Sequence, residues 1–455
     1  MATTPRRFHV ETLGCPKNAV DSDKVVASLL ADGLVPATGA ADADLIVVNT
    51  CAFIEAARQE SIDVVLELAE VKSSTAKLVV TGCLAERYGQ DLARELPEVD
   101  AVVGFAGEGS IGQLAVPVVL RAAPVGVRDL LELPRPAPTA PWAYVKIAEG
   151  CDRACAFCAI PSFRGKQRSR TAESIVAECR SLVAGGVGEL VLVAQDLAWY
   201  GRDAGECDAL AGLLRALDDL RADGLRWLRL LYLYPSEVRD PLVTTMLELE
   251  SVVPYFDLSL QHAAPGLLRT MKRWGSGDRF LELVESIRAA APGSAFRSSF
   301  ISGFPGETEA DHEALLEFLN AARLDWAGFF GYSREEHTAA AELDGEIEEP
   351  TVRERLRELS DTQEPITAAA RAALVGARVD VVIEGLDDDG TPVGRTYREA
   401  PEIDGAVRVV DATFTRPGTI LAATIVDAAG PDLDAMLAVD PIDGGRVDGR
   451  REAVA

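Results

Sequence analysis

The stretch EGCDRACAFCAIPSFRG, which runs from Glu149 to Gly165, decides how the rest of the chain is interpreted. Cys151, Cys155 and Cys158 form a C-x3-C-x2-C triplet directly after the predicted strand AYVKIAEG. Three thiolates on one loop can bind three irons of a 4Fe–4S cube, and soft sulfur ligands suit that cluster. The fourth iron is then left open for a substrate, as in catalytic metal sites generally. The alternative is a structural zinc site, but zinc takes a closed set of four ligands and no second Cys or His pair follows.

Five further strand candidates follow this motif, and long helical patterns separate them. Six βα units predict a partial or complete (β/α) barrel over residues 138–375. The chemistry of such a barrel lies at the carboxyl ends of its strands. The five segments are ELVLVAQD, WLRLLYLYP, YFDLSLQH, AFRSSFISG and WAGFFGYS.

Residues 1–135 predict a separate parallel α/β sheet domain. Short apolar strands (FHVETLG, DLIVVNT and KLVVTG) alternate with helical stretches, which is a βαβ pattern and implies crossover helices. A Pro-rich linker, LPRPAPTAP, follows at 133–141.

Each of these three strands is followed by a cysteine: Cys15, Cys51 and Cys83. Open α/β sheets bind their ligands at the carboxyl ends of their strands, so the three thiols are expected to converge on a second three-cysteine cluster. Gly14 and Gly82 precede two of them and ease close approach of the backbone. The alternative is three buried structural cysteines.

The remaining sequence predicts a small β-barrel and a tail. Residues 376–440 contain short β segments separated by Gly, Asp and Pro turns and show no helical period. Residues 441–455 predict a polar tail. Cys179 and Cys207 fit no ligand pattern, and a structural role is favoured for both.

Composition and charge indicate the compartment in which the protein acts and the kind of partner it binds. Apolar residues make up 48% of the chain, and 72 acidic against 45 basic residues give a net charge of −27. We find neither a signal peptide nor an apolar run of ~20 residues, so a cytoplasmic protein with no membrane partner is expected. The acidic balance either keeps the protein soluble or attracts a basic partner.

The cysteine triplet, with Phe157 before its last cysteine, resembles the radical S-adenosylmethionine (SAM) superfamily. That resemblance implies that SAM binds the open iron and that its reductive cleavage gives a 5′-deoxyadenosyl radical. It also implies that Phe157 and residues at later strand ends contact the cofactor. By position the strand-end residues are Gln195, Asp196, Gln261, Arg297 and Ser299.

The whole pattern, over roughly residues 7–440, resembles the methylthiotransferase family of radical SAM enzymes. Members join an N-terminal domain with a second three-cysteine 4Fe–4S cluster to a radical SAM barrel and a C-terminal TRAM β-barrel. The resemblance implies two 4Fe–4S clusters and two SAM molecules per turnover. One SAM donates its methyl group to a sulfur at the second cluster, and the other supplies the radical that activates the substrate carbon. An electron donor and a sulfur source are implied as unidentified partners.

One branch of the family modifies the β-carbon of an aspartate in ribosomal protein S12, and the other modifies an adenosine of tRNA. The segments ETLGCPKNAVDSD, QDLAWYG, LSLQHAAPGLLRTMKR and FFGYSREE resemble the S12 branch. Two departures from its pattern are Leu197-Ala198-Trp199, in place of a more polar run, and His337, where Gly is usual.

Charge also favours S12 over tRNA. Residues 376–455 hold 16 acidic and 8 basic residues, whereas a tRNA-binding barrel needs positive charge to contact phosphates. A basic ribosomal protein is complementary to this surface. tRNA remains the alternative substrate. An iron–sulfur electron carrier is a third hypothesis, but it would need four cysteines per cluster.

Overall fold

The computed structural model describes residues 6–115, 130–133, 135–413 and 415–438. The chain divides into two compact units, Met1–Thr367 and Ala368–Ala455. The predicted polar tail, residues 441–455, lies outside the described residues. No helix in the described ranges is both long and apolar enough to cross a membrane.

The first unit begins with a five-stranded parallel sheet of order β2-β1-β3-β4-β5. Strand β3 is buried along its whole length, because side chains pack on both faces of the sheet. Ile46 and Val48 face one core, and Leu45 and Val47 face the other. The elements are β1 (Arg7–Thr12), α1 (Pro16–Ala31), β2 (Val35–Pro36), β3 (Leu45–Thr50), α2 (Glu55–Val71), β4 (Lys77–Gly82), α3 (Cys83–Glu95) and β5 (Ala101–Val102).

The same unit continues with six parallel strands separated by helices, which form a partial barrel. Two three-stranded sheets, β6-β9-β10 and β11-β12-β13, are joined by single bridges between Leu228 and Val252 and between Leu233 and Leu258. The elements are β6 (Trp142–Lys146), β7 (Ala148–Glu149), α4 (Ile160–Phe163), β8 (Arg168–Ser169), α5 (Ala172–Ala184), β9 (Glu189–Val193), α6 (Ala209–Asp218), β10 (Trp227–Leu230), α7 (Asp240–Glu248), β11 (Tyr255–Gln261), α8 (Pro265–Thr270), α9 (Gly277–Ala290), β12 (Ala295–Ser302), α10 (Glu309–Ala322), β13 (Trp326–Gly331) and α11 (Glu349–Ala372).

The second unit contains a closed five-stranded barrel of order β14-β15-β16-β18-β17. Buried Val381, Ile383, Val407 and Ile425 fill its interior. Its strands are β14 (Arg378–Leu386), β15 (Pro392–Arg395), β16 (Val407–Val409), β17 (Ile420–Ala429) and β18 (Asp432–Leu437).

The fold class predicted from the sequence is therefore confirmed: a parallel α/β sheet, a (β/α) partial barrel and a small β-barrel. The sequence segments missed β15 and β18 of the small barrel. PVGR and DLDAML are short and carry Gly, Pro or Asp, which weakens the alternating pattern of a strand.

Candidate functional site

Cys15, Cys51 and Cys83 follow three strands that are neighbours in the sheet, β1, β3 and β4. Cys15 is the N-cap of α1, Cys51 directly follows β3, and Cys83 is the first residue of α3. Because these strands are parallel, their carboxyl ends lie at the same edge. The sheet therefore brings the three predicted thiols to one place.

Two glycines permit this approach. Gly14 and Gly82 have φ of +89° and +87°, a conformation that residues with a side chain rarely adopt. A Cβ on Gly14 would lie 2.7 Å from the Cβ of Cys51, and one on Gly82 would lie 2.2 Å from Oδ1 of Asn49. A side chain at Gly14 would displace Cys51, and one at Gly82 would collide with Asn49 and the backbone of Thr50, the residue before Cys51.

Positive charge surrounds these thiols. Nη2 of Arg164 donates to Sγ of Cys83 at 3.0 Å. Burial opposes ionisation of Cys15, but Lys17 and Arg164 outweigh it and lower the pKa of this thiol. Burial raises the pKa of Cys83 to about 12 although Arg164 opposes it. Each thiol therefore needs a cation or a metal to become a stable thiolate.

Cys151, Cys155 and Cys158 lie on the loop between β7 and β8, which pair with each other. Arg153 N donates to Sγ of Cys151 at 3.4 Å, and Nη1 of Arg273 donates to Sγ of Cys155 at 3.4 Å. Burial raises the pKa of Cys151 to about 11 and that of Cys158 to about 12.

The donor set of each triplet is one that an iron–sulfur cluster uses. Three cysteine sulfurs can bind three irons of a 4Fe–4S cube. The N–H and guanidinium donors that contact the sulfurs also suit cluster ligands. The donor set therefore fits the predicted clusters. Of the other two cysteines, Cys179 is buried within α5 and Cys207 is exposed.

Arg164 links the two triplets. It lies six residues after Cys158, and its side chain is 2% exposed. Besides Cys83 it donates to Oδ1 of Asn18 at 2.7 Å and to both carboxylate oxygens of Glu149 at 2.9 Å. Ala159 and Phe163, on the same loop, pack in one hydrophobic core with Cys83. The carboxyl strand ends of the N-terminal sheet therefore face the cysteine loop of the barrel.

A buried ion network surrounds Arg164. Lys146 forms ion pairs with Asp21 and Glu149, and Asp21 also lies 3.4 Å from Arg164. Burial opposes ionisation of Glu149, but Lys146 and Arg164 outweigh it and lower its pKa. Burial and the neighbouring Asp21 raise the pKa of Glu108 to about 8. Two cations thus face two carboxylates, and burial favours the protonated form of Glu108.

Glu335 joins the same two parts of the unit on another side. This carboxylate is 1% exposed and lies in the loop after β13. Its Oε2 accepts from Arg58 on α2 and, at 2.6 Å, from Arg87 on α3. Arg87 also donates to the carbonyl of Ala52, next to Cys51, at 3.1 Å. Glu335 therefore fixes the barrel loop against the segments that carry Cys51 and Cys83.

Two of the predicted cofactor contacts lie beside the second triplet. Nε2 of Gln195 donates to Glu149 at 2.8 Å, and Oδ2 of Asp196 accepts from Nε of Arg153 at 2.6 Å. Oε1 of Gln195 and Oδ1 of Asp196 are buried and have no hydrogen-bond partner among the described residues. These two oxygens are free to accept hydrogen bonds from a ligand.

The other four predicted contacts are spread along the barrel. Phe157 packs partly buried against the barrel core. Gln261 ends β11 with φ of +74°, beside an irregularity in the pairing with β12. Arg297, on β12, lies 3.3 Å from Oδ1 of Asp257, and Ser299 follows on the same strand. Phe157 lies on the cysteine loop, Gln261 on β11, and Arg297 and Ser299 on β12.

The two departures from the family pattern have structural consequences. Trp199 stacks under the guanidinium of Arg153 at 4.2 Å, so Leu197-Ala198-Trp199 contributes an aromatic face beside the loop of Cys151. His337 has φ of +63° and is exposed. This conformation explains why Gly is usual at that position.

Sequence reasoning missed Arg164, Lys146, Asp21 and Glu335. Arg164 lies within the motif stretch Glu149–Gly165, and Glu335 lies within the segment FFGYSREE, but neither showed a ligand pattern. A charged residue in a motif is usually solvated, and only the fold shows that these are buried.

Known proteins resemble this chain in all three parts. The model of uncharacterized protein family UPF0004 matches residues 7–104, the radical SAM superfamily model matches 145–319, and the TRAM domain model matches 375–437. Three relatives are named ribosomal protein uS12 methylthiotransferase RimO. The Cutibacterium acnes protein is 41% identical over 93% of this chain and 96% of its own length. The Moorella thermoacetica protein is 44% identical over 89% and 93%, and the Anaeromyxobacter protein is 42% identical over 94% and 92%.

The chain belongs to the RimO family of radical SAM methylthiotransferases. This confirms the family and the enzyme class that the motifs predicted, and it favours the S12 branch over the tRNA branch. Among solved structures, the radical SAM methyltransferase TsrM from Kitasatospora setae, with cobalamin and a 4Fe–4S cluster bound, has a TM-score of 0.53. It is 16% identical and covers 74% of this chain and 77% of its own, so the likeness supports the fold alone.

Substitution of Glu335 tests whether its contacts fix the barrel loop against the N-terminal sheet. Glu335→Gln removes the carboxylate that Arg58 and Arg87 share and leaves Arg58 only the exposed Glu55, at a cost of about 2 kcal/mol. We expect a lower Tm and faster reaction of Cys51 and Cys83 with a thiol reagent in the metal-free protein. The matched control is Glu336→Gln, because Glu336 is exposed.

The pH dependence gives a second readout of the same contact. Burial raises the pKa of Glu335, but the hydrogen bonds from Ser333, Arg87 and Arg58 outweigh it and lower the pKa below 4.5. Its contribution to stability is therefore full above pH 4.5 and is lost as the pH falls through the lowered value. Equal Tm and equal thiol reactivity in Glu335→Gln and Glu336→Gln would contradict this role.

Proposed function

We propose that this protein adds a methylthio group to the β-carbon of an aspartate in ribosomal protein uS12. The observation that carries the proposal is that the buried Arg164, on the loop that follows Cys158, donates a hydrogen bond to Cys83 of the other triplet. A single site would suffice for SAM cleavage alone, whereas methylthiolation needs a radical source and a sulfur carrier within reach of one substrate atom. The names of the RimO relatives supply the substrate.

Six cysteines would hold the two clusters. Cys15, Cys51 and Cys83 would bind one 4Fe–4S cluster, and Cys151, Cys155 and Cys158 the other. Two SAM molecules would be used per turnover. Together with SAM, the clusters would supply the radical that abstracts hydrogen from the aspartate and the methylthio group that replaces it. The reaction also needs an electron donor and a sulfur source.

The side chains around the second triplet would bind SAM. The unpartnered oxygens of Gln195 and Asp196 can accept hydrogen bonds from an amino group or a hydroxyl group. Arg153 and Lys146 hold these acceptors in place through Asp196 and Glu149. We propose Phe157, Gln261, Arg297 and Ser299 as further contacts, on the basis of their positions along the barrel.

The substrate would be a basic protein that presents an exposed loop. The net charge of −27 repels the phosphates of tRNA and attracts a Lys/Arg-rich partner. The Asp387–Asp389 turn contributes less free charge than its sequence suggests. Arg408 contacts Asp387 at 2.8 Å and Asp389 at 3.0 Å, so only Asp388 of the three lacks an ion pair among the described residues.

The predicted domain limits and location are part of this proposal. We propose a sulfur-carrying domain at 1–135, a radical SAM barrel at 138–375, a TRAM barrel at 376–440 and a tail at 441–455. We also propose that the enzyme acts in the cytoplasm, where ribosomal proteins are made and assembled.

The cluster assignment predicts iron content. Anaerobic reconstitution should give about eight irons per chain, from two cubes. Alanine at Cys151, Cys155 and Cys158 should leave about half of the iron and abolish SAM cleavage. Alanine at the other three cysteines should also leave about half, with SAM cleavage retained and no methylthio transfer. The control is Cys179→Ala, which should keep the full iron content, and wild-type iron near four or bound zinc would contradict the assignment.

The product tests the function itself. Replacing one hydrogen by SCH3 adds about 46 Da, and this mass should appear on one aspartate-containing peptide of uS12 and on no tRNA nucleoside. Deuterium at the β-carbon of that aspartate should be recovered in 5′-deoxyadenosine. Mass spectrometry of uS12 and of tRNA from a strain lacking the enzyme gives the matching loss. A methylthiolated adenosine with unmodified uS12 would support the tRNA alternative instead.

A further inference from the structure

Lys17 is a buried cation between the two cysteine sites. It lies two residues after Cys15 in the first turn of α1 and is 9% exposed. Its Nζ lies 3.4 Å from the centroid of the Tyr232 ring. Tyr232 follows β10 of the barrel, so the N-terminal sheet places a positive charge at the strand ends of the barrel.

Lys17 lacks the carboxylate partner that other buried lysines have. Lys146 forms ion pairs with Asp21 and Glu149, and Nζ of Lys24 lies 3.5 Å from Glu178. Within the described ranges, no Asp or Glu oxygen lies within 4.0 Å of Nζ of Lys17. The Tyr232 ring and the Cys15 thiol are the neighbours of this buried ammonium group, so a carboxylate that arrives here finds no other carboxylate to displace.

The ring against Lys17 is fixed to the barrel. The backbone N of Tyr232 donates to Oδ2 of Asp257 at 2.8 Å, and Oδ1 of Asp257 lies 3.3 Å from Nη1 of Arg297. Tyr232 also has φ of +63°, a strained conformation for a residue with a side chain. The ammonium group therefore lies between Cys15 and a rigid part of the barrel.

Three other cations near the two sites are already paired. Arg164 is bound by Glu149 and Asn18, Lys146 by Asp21 and Glu149, and Arg153 by Asp196 and Glu237. Each of these groups has an acidic partner that an incoming carboxylate would have to displace. Among the described residues Lys17 has no such partner. Arg273 also lacks one, but its guanidinium already donates to Sγ of Cys155 and to the carbonyl of Ser259.

We infer that Lys17 binds the side-chain carboxylate of the substrate aspartate and so holds its β-carbon between the two cysteine sites. The inference rests on the proposed function. The reacting carbon is bonded directly to that carboxylate, so anchoring one positions the other. Adenosine carries no carboxylate, and Lys17 would therefore also favour a protein substrate over tRNA.

A second role for Lys17 makes a different prediction. Its charge lies close to Cys15 and could serve only to offset the negative charge of a cluster bound there. In that case, loss of the charge changes the reduction potential of the cluster or its iron content. Recognition of the aspartate would then be unaffected.

The test uses the reconstituted holoenzyme with uS12 and with uS12 in which the target aspartate is replaced by asparagine. Binding and steady-state modification are measured for the wild type, Lys17→Met, Lys17→Gln and Lys17→Arg. The control is Lys77→Met, because Lys77 begins β4 at the opposite end of the strand from Cys83 and is exposed. Iron content and the reduction potential of the N-terminal cluster are measured for every variant.

We expect the wild type to bind aspartate uS12 more tightly than asparagine uS12. Lys17→Met and Lys17→Gln should lose this preference, with KM for uS12 raised at least about tenfold. Lys17→Arg should keep the preference, and Lys77→Met should behave as the wild type. SAM cleavage without uS12 should be unchanged in Lys77→Met.

Two results would overturn the inference, and they are distinguishable. If Lys17→Met or Lys17→Gln keeps the preference for aspartate while the potential or the iron content shifts, Lys17 serves the cluster. If the wild type modifies no aspartate of uS12, the proposed function itself is wrong. Two uncharged replacements are included so that misfolding of one leaves the other to decide.

Discussion

The hydrogen bond from Arg164 to Cys83 is the contact on which the rest of the site depends. Arg164 belongs to the loop of one cysteine triplet, and Cys83 belongs to the other. A guanidinium group presents donors in a fixed plane, so one side chain can contact Cys83, Asn18 and Glu149 together. Through Glu149 it reaches Lys146 and Gln195. The relative position of the two cysteine sites is therefore set by buried charge and not by apolar packing alone.

A network of buried charges lowers the stability of a protein strongly when one of its members is lost. Removing one partner from a buried ion pair leaves an uncompensated charge, which typically destabilises a protein by about 3–5 kcal/mol. Here the two cations are balanced by Asp21 and Glu149, while burial and the neighbouring Asp21 favour the protonated form of Glu108. Glu335 fixes the same junction from a second direction through Arg58 and Arg87. Two anchors restrict rotation of one part against the other, which a single anchor would allow.

The sequence predicted the positions of the cysteines better than the groups around them. The alternation of strands and helices predicts a parallel sheet, and the carboxyl ends of parallel strands lie at one edge. Each of Cys15, Cys51 and Cys83 follows such a strand, so the sequence predicts that they lie together. The same reasoning marked Gly14 and Gly82, whose positive φ and close contacts the structure shows. Arg164, Glu335 and Lys17 could not be found in this way, because their partners lie 81, 248 and more than 200 residues away. Whether these side chains are buried depends on how the N-terminal sheet packs against the barrel. No local sequence pattern predicts that packing.

The central claim is that the two cysteine sites act on one space, and spin coupling between two reduced clusters tests it most directly. EPR spectra would be recorded for the reduced protein with both clusters and for the two triple-alanine proteins that each keep one. We predict that the two-cluster spectrum is broadened or split by magnetic interaction and differs from the sum of the single-cluster spectra. A spectrum equal to that sum, at full occupancy of both sites, would mean that the clusters are too far apart to share a substrate and would contradict the account.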